Sequence, residues 1–170
     1  FGDLKMQDGM LLDGLTDVYN STHMGNCAEL CAKENSISRE AQDDFAVSSY
    51  ERSAAAWASG AFNDEVVPVS VPQRRGDALV VSEDEEFKAV KMEKIRSLRP
   101  AFQNEGTVTA ANASTLNDGA SALVLASEDA VKRLGVKPIA KIVASADAAH
   151  APEYFTTAPA KAVPVALSKA

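Results

Sequence analysis

Residues 106–119, GTVTAANASTLNDG, pack small side chains, Asn and Ser into fourteen consecutive positions, as a backbone must when it comes close to a ligand or passes between sheets. On spacing alone, a tight loop between two buried elements would use the same residues. Upstream, Lys88, Lys91, Lys94, Arg96 and Arg99 place five cations within twelve residues, directly after the acidic run Glu83-Asp84-Glu85-Glu86. The chemistry open to that stretch is phosphate binding on an otherwise acidic protein, although a solvated face would carry the same charges. His23 offers an imidazole as a general base or ligand contact, or as a structural residue at a helix start. Cys27 and Cys31 stand four apart in one expected helix, where their side chains diverge and a disulfide would be strained. With no third Cys or His nearby they make no zinc site, so both read as buried, reduced thiols of an intracellular compartment. No G-x-S-x-G, P-loop, H-E-x-x-H or dinucleotide fingerprint is present.

The elements that must position these residues follow from the apolar spacing. A helix over Met24–Glu34 sets Cys27 and Cys31 beside Ala28 and Ala32, and its small residues call for close packing. Ser38 is a good N-cap for a second helix that ends near Gly60, with Ala41, Phe45, Ala46, Ser49, Tyr50 and Trp57 on adjoining faces. The β-branched runs 65–71 and 78–81, separated by Pro72-Gln-Arg-Arg-Gly76, predict a hairpin. Pro100 ends any helix in the basic stretch. Beyond it, residues 123–125 and 139–144 read as strands either side of a helix that starts near Ser127 and stops at Gly135, a βαβ-like alternation. A last helix begins after Pro152 and runs to Ala170 without a cap, as in a chain cut from something longer.

The chain has 170 residues, 46% of them apolar, enough for a real core and too many for a disordered tail. Its net charge of −7 argues against nucleic acid and anionic membranes as partners. No apolar run reaches the roughly 20 residues that span a bilayer, and the first ten residues have no targeting character, so a soluble protein is expected.

The stretches DGLTDVYNSTHMGNCAE, ISREAQDDFAVSSYERSAAAW and RPAFQNEGTVTAANASTLNDGASALVLASEDAVKRLG carry a resemblance that covers essentially the whole chain. The sequence resembles the thiolase family, and within it the mitochondrial acetoacetyl-CoA branch. The resemblance implies an α/β thiolase fold fragment. Residues 1–115 would form the loop domain that covers the active site, 116–137 the last strand and helix of the N-terminal domain, and 138–170 the start of the C-terminal domain. It implies a reversible Claisen condensation of two acetyl-CoA to acetoacetyl-CoA plus CoA, in a homotetramer that is mitochondrial, or alternatively cytoplasmic, and serves fatty acid and ketone body metabolism.

The family's nucleophilic cysteine lies in a Cys-small-small-Gly-Met motif, its histidine in Gly-His-Pro, and a second cysteine acts as base. None of these motifs is in the 170 residues, and His150 stands in AAHAPEYF, so the chain is expected to hold no catalytic residue and to be inactive alone. What the resemblance assigns here is coenzyme A contact. Tyr50, Ala89, Val90, Lys91, Lys94 and Ser114 match contact positions, and His23, Phe102 and Ala110 line the same groove. Around Ala89 and Lys91 the sequence departs from its relatives, so contacts there run through backbone or altered side chains. Lys91 and Lys94 would meet the phosphates, Phe102 would offer an apolar face, and Ser114 would bond the pantetheine amides. The same relatives bind potassium through the Tyr50 hydroxyl and the carbonyls of Ala110, Ala111 and Ala113, neutral oxygens suited to a large cation. Two alternatives remain: a 3-ketoacyl-CoA thiolase of longer chain specificity, and a non-catalytic coenzyme A-binding module.

Overall fold

Ser38 opens the longest helix: its hydroxyl accepts the Ala41 N–H at 3.1 Å, a side-chain N-cap. The computed structural model, which describes residues 2–170, divides into two compact units, one of residues 32–114 and one of residues 1–31 with 115–170.

In the 32–114 unit, helix α1 (Met24–Glu34), which begins in the other unit, ends as Ser36 takes a left-handed φ of 53° and Ile37 N–H reaches the Ala32 carbonyl at 2.8 Å. Helix α2 (Arg39–Ala58) follows and closes at Gly60, whose φ of 73° favours glycine. The predicted hairpin forms in a shorter version than the apolar runs suggest, Val69–Val71 against Leu79–Val81, with Val69 opposite Val81 and Val71 opposite Leu79. A short helix, Glu86–Ala89, and a 3₁₀ turn, Met92–Ser97, complete the regular structure before Pro100. Buried positions are few and mixed: Ala32, Ala46, Ile95, Val108 and Ala111 beside Asp43 and Thr109. The face of α2 turned inward therefore runs through Asp43 and Ala46, whereas Phe45 is exposed.

In the other unit, a π-helical turn, Met10–Gly14, leads into a two-residue antiparallel hairpin, Thr16–Asp17 with Thr22–His23. Asp17 closes its loop by accepting the Tyr19 N–H at 3.0 Å and the Asn20 amide at 2.6 Å, the pattern of an Asx turn. The Asn20 bond holds the Asp17 carboxyl below its ordinary range. Asn20 also reaches Glu153 Oε2 at 3.3 Å. Cys27 is buried, and burial, followed by the charges of Asp17 and Glu153, pushes its thiol up. Neither Cys27 nor Cys31 forms a disulfide among the described residues. The helix Glu128–Leu134 is capped by Ser127 at one end and by Gly135, φ 63°, at the other, where the sequence places both signals. A 3₁₀ turn, Pro152–Thr157, runs into the last helix, Ala158–Lys169, with Pro164 inside it.

The strands expected at 123–125 and 139–144 do not form, and with them the βαβ-like alternation is absent among the described residues. A strand exists only by pairing, and no described residue pairs with either segment; Leu123 is 88% and Val124 97% exposed. Apolar character made these segments look like strands without supplying a neighbour.

Replacing Ser38 by Ala should lower the unfolding free energy by about 1 kcal/mol, while Ser38→Asp should change it by a few tenths at most, because Asp caps equally well. Urea denaturation of the three proteins measures this, and equal midpoints for Ala and Asp would show that the cap contributes nothing.

Candidate functional site

Arg39, Asp43, Ala46, Tyr50 and Trp57 recur along α2 at helical spacing and so share one face. Each polar member of that stripe reaches a different segment of the 32–114 unit. Near its start, Arg39 Nη2 donates to the Leu98 carbonyl at 2.9 Å and to that of Ile95 at 3.3 Å. One turn on, Asp43 accepts Arg39 Nε at 2.7 Å and Asn112 Nδ2 at 3.0 Å. Further along, the Tyr50 hydroxyl donates to Glu86 Oε1 at 3.5 Å. Last, Trp57 Nε1 donates to Asp84 Oδ2 at 3.3 Å, with its ring stacked 6.4 Å from that of Phe87 and tilted 4.9 Å from Phe62. A single helix thus holds the acidic run, the basic turn and the small-residue loop.

The basic stretch is not uniform. Lys88 pairs with Glu83 and Arg96 with Asp44, whereas Lys91 and Lys94 make no ion pair among the described residues. Both of these lysines are exposed, Lys91 as the N-cap of the 3₁₀ turn and Lys94 within it, and Lys94 N–H donates to the Lys91 carbonyl at 2.8 Å. That backbone bond opens the turn. Ile95, 1% exposed, anchors the turn from within.

The loop at 107–114 is organised by Asn112 and Thr109. Thr109, 0% exposed, donates its N–H to Asn112 Oδ1 at 2.7 Å, and its Oγ1 accepts the N–H groups of Ala111 and Asn112 at 3.3 and 3.4 Å. Asn112 Nδ2 also donates to the Thr107 carbonyl at 3.1 Å, and Gln42 Nε2 to Thr107 Oγ1 at 2.9 Å. Ala113 N–H closes the turn on the Thr109 carbonyl at 3.0 Å, and Ala101 N–H bonds the Val108 carbonyl at 2.8 Å. Ala110 and Ser114 are exposed, Ala111 is buried, and Ala113 and Phe102 are half-buried. Among the described residues the carbonyls of Ala110, Ala111 and Ala113 accept no hydrogen bond.

Those free carbonyls are the right donors for a weakly hydrated cation, and no group of three or more His, Cys, Asp or Glu among the described residues is placed to hold a metal ion. The Tyr50 hydroxyl spends its proton on Glu86 and keeps lone pairs. Asp43 and Tyr50 are seven positions apart, two turns along the same face of α2. Burial, and then the Glu86 carboxylate, push the Tyr50 hydroxyl above its ordinary range.

The structure therefore gathers Tyr50, Ala89, Val90, Lys91, Lys94, Phe102, Ala110, Ala111, Ala113 and Ser114 into one compact unit, with Ala89 ending the Glu86 helix and Val90 capping it. His23 belongs to the other unit, where its Nδ1 accepts the Gly25 N–H at 2.9 Å, which leaves the proton of the neutral ring on Nε2. His150, the second histidine, meets Thr157 Oγ1 at 3.2 Å and packs against Tyr154. Sequence reasoning missed Arg39, Asp43, Asn112 and Glu86. The signal for the first two was present, a basic and an acidic residue at i, i+4 on the face that carries Ala46 and Tyr50.

The family described as thiolase, N-terminal domain, matches residues 1–129. The chain belongs to the thiolase family. A mitochondrial acetyl-CoA acetyltransferase of Danio rerio is 60% identical over all of this chain and 41% of its own length; that of Bos taurus is 57% identical, with 40% of its length covered. This chain thus spans about two fifths of these curated relatives. Among solved thiolases, one from Ascaris suum in complex with coenzyme A superposes with a TM-score of 0.91 at 47% identity, over 99% of this chain and 43% of the other. The Bacillus anthracis acetyl-CoA acetyltransferase gives 0.93 at 37% identity, with 99% and 43% covered. The chain is an α/β thiolase fold fragment, and no helix among the described residues is long and apolar enough to cross a membrane.

Because both causes at Tyr50 act in the same direction, its phenol should ionise above the ordinary value of about 10. A raised folded value means that the stability it contributes is present below the unfolded value and lost as pH rises through the folded one. Replacing Glu86 by Gln should bring the titration, followed by phenolate absorbance, part of the way back down. An unmoved midpoint would remove Glu86 as a cause.

Proposed function

We propose that this thiolase chain works as the coenzyme A-holding part of an acetyl-CoA acetyltransferase, which condenses two acetyl-CoA to acetoacetyl-CoA and free CoA. The observation that carries the reading is the 3₁₀ turn: in a basic stretch where Lys88 and Arg96 are neutralised by carboxylates, Lys91 at the N-cap of the turn and Lys94 next to the buried Ile95 make no ion pair among the described residues, and Arg99 follows beyond the turn. Such cations suit the 3′-phosphate and diphosphate of the coenzyme. Ser114 would hydrogen-bond the pantetheine arm and Phe102 would line it, with Ala89 and Val90 contributing backbone. Ala110 would complete the groove, and Tyr50 would close it. The coenzyme A carried by the Ascaris suum thiolase supports this choice of ligand.

In this reading residues 1–115 are the loop domain over the active site, 116–137 finish the N-terminal domain and 138–170 begin the C-terminal one. The condensation itself needs the nucleophilic cysteine, the histidine and the second cysteine of the family motifs, which the 170 residues do not contain. The working enzyme is then a longer, mitochondrial homotetramer; the printed names of the Danio rerio and Bos taurus relatives support the compartment. Potassium would sit on the Tyr50 hydroxyl and the free carbonyls of Ala110, Ala111 and Ala113, where it supplies positive charge that stiffens the loop leading to Ser114.

In the full-length enzyme, Lys94→Ala should raise KM for CoA several-fold with kcat little changed, the pattern of an interaction made equally in ground and transition states. Each exposed charge-assisted contact is worth roughly 1 kcal/mol or a little more. A KM that neither moves in Lys94→Ala nor rises with salt in the unaltered enzyme would overturn the basic rim.

For the cation, KCl should lower KM for CoA and raise Tm by mass action where NaCl does not. Tyr50→Phe removes one oxygen and keeps the ring, so it should blunt the potassium response far more than the fold. Identical responses to the two salts would leave Tyr50 as a packing residue.

A further inference from the structure

Coenzyme A binding uses the two ends of a hydrogen-bonded chain whose middle has no part in it. That middle is Asp43, 2% exposed, a charge taken almost wholly out of water. Its Oδ2 accepts Arg39 Nε at 2.7 Å and its Oδ1 accepts Asn112 Nδ2 at 3.0 Å. Arg39 passes the link to the carbonyls of Leu98 and Ile95 at 2.9 and 3.3 Å, the end of the turn that bears Lys94. Asn112 passes it to Thr107 and Thr109 at 3.1 and 2.7 Å, the start of the loop that ends at Ser114. A buried ion pair is a poor source of stability, since apolar residues of the same volume often hold as well. What the carboxylate supplies instead is direction, because each oxygen takes one donor from one side and the two segments can then meet α2 in a single register.

We propose that Asp43 is a positioning residue for coenzyme A: through Arg39 and Asn112 it fixes the spacing between Lys91 and Lys94 on one side and Ser114 on the other, and hence lets one ligand use its phosphate and pantetheine contacts together. The proposal rests on the coenzyme A reading above. With the spacing set in advance, the second contact forms at high effective concentration once the first is made. Without it, the ligand must order the two segments itself and loses affinity, while the reacting groups, which lie elsewhere, are untouched.

The test is the full-length enzyme assayed with CoA and with 3′-dephospho-CoA, in the unaltered protein, Lys94→Ala, Asp43→Asn and Asn112→Ser. In Asp43→Asn the amide can no longer accept from both sides, and KM for CoA should rise about tenfold with kcat within about twofold, a loss inside the range known for small misplacements. The penalty for lacking the 3′-phosphate should also shrink toward one, because the two ends of the ligand are no longer bound in concert. Asn112→Ser, which spares the Arg39–Asp43 pair and cuts the link to the loop along with the Asn112 bonds to Thr107 and Thr109, should behave the same way and answers the question should Asp43→Asn not fold. A lower Tm with an unchanged dephospho-CoA penalty in whichever of these variants folds would make Asp43 a scaffold residue and overturn the proposal. If Lys94→Ala and removal of the 3′-phosphate leave KM unchanged in an otherwise unaltered enzyme, it is the coenzyme A reading that has failed instead.

Discussion

A carboxylate shut away from water must be satisfied on all sides or it unfolds its surroundings, and the 32–114 unit is arranged around that constraint at Asp43. The few apolar residues that are truly buried, Ala32, Ala46, Ile95, Val108 and Ala111, are small or solitary. They cannot by themselves choose between neighbouring packings of a helix, a turn and a loop. Hydrogen bonds with fixed directions can, and the unit uses them where a larger domain would use interlocking side chains. The Tyr50–Glu86 and Trp57–Asp84 contacts extend the same device along α2.

Local signals were legible in the sequence and distant ones were not. Ser38, Ser127 and Gly135 mark helix ends in the structure because capping is decided within a few residues. The hairpin at 69–81 was visible for the same reason, a turn flanked by β-branched runs. Residues 123–125 and 139–144 failed because a strand is a relation between two segments, and apolar content reports only one of them. Asp43 was missed for a similar reason. Its partner Asn112 lies 69 positions away, and an acid among alanines on a helix reads as solvent-facing until the loop that buries it is in place. The resemblance to thiolases named exposed residues such as Lys91, Lys94 and Ser114 together with the buried Ala111, and was silent about Asp43, Arg39 and Asn112.

Holding and touching are divided between different residues on the 3₁₀ turn. Ile95 and the Arg39 bonds to the Ile95 and Leu98 carbonyls use backbone and a buried side chain, while Lys91 and Lys94 face outward and serve no packing purpose. The charge displayed by the turn can therefore change without loosening the turn itself, whereas a change at Ile95 would cost both.

The buried thiol of Cys27 has a chemical consequence of its own. Transfer of an acyl group to a cysteine requires the thiolate, and burial, with the charges of Asp17 and Glu153, pushes the Cys27 thiol up. A thiol closed off and disfavoured as an anion is a poor acceptor for an acyl group.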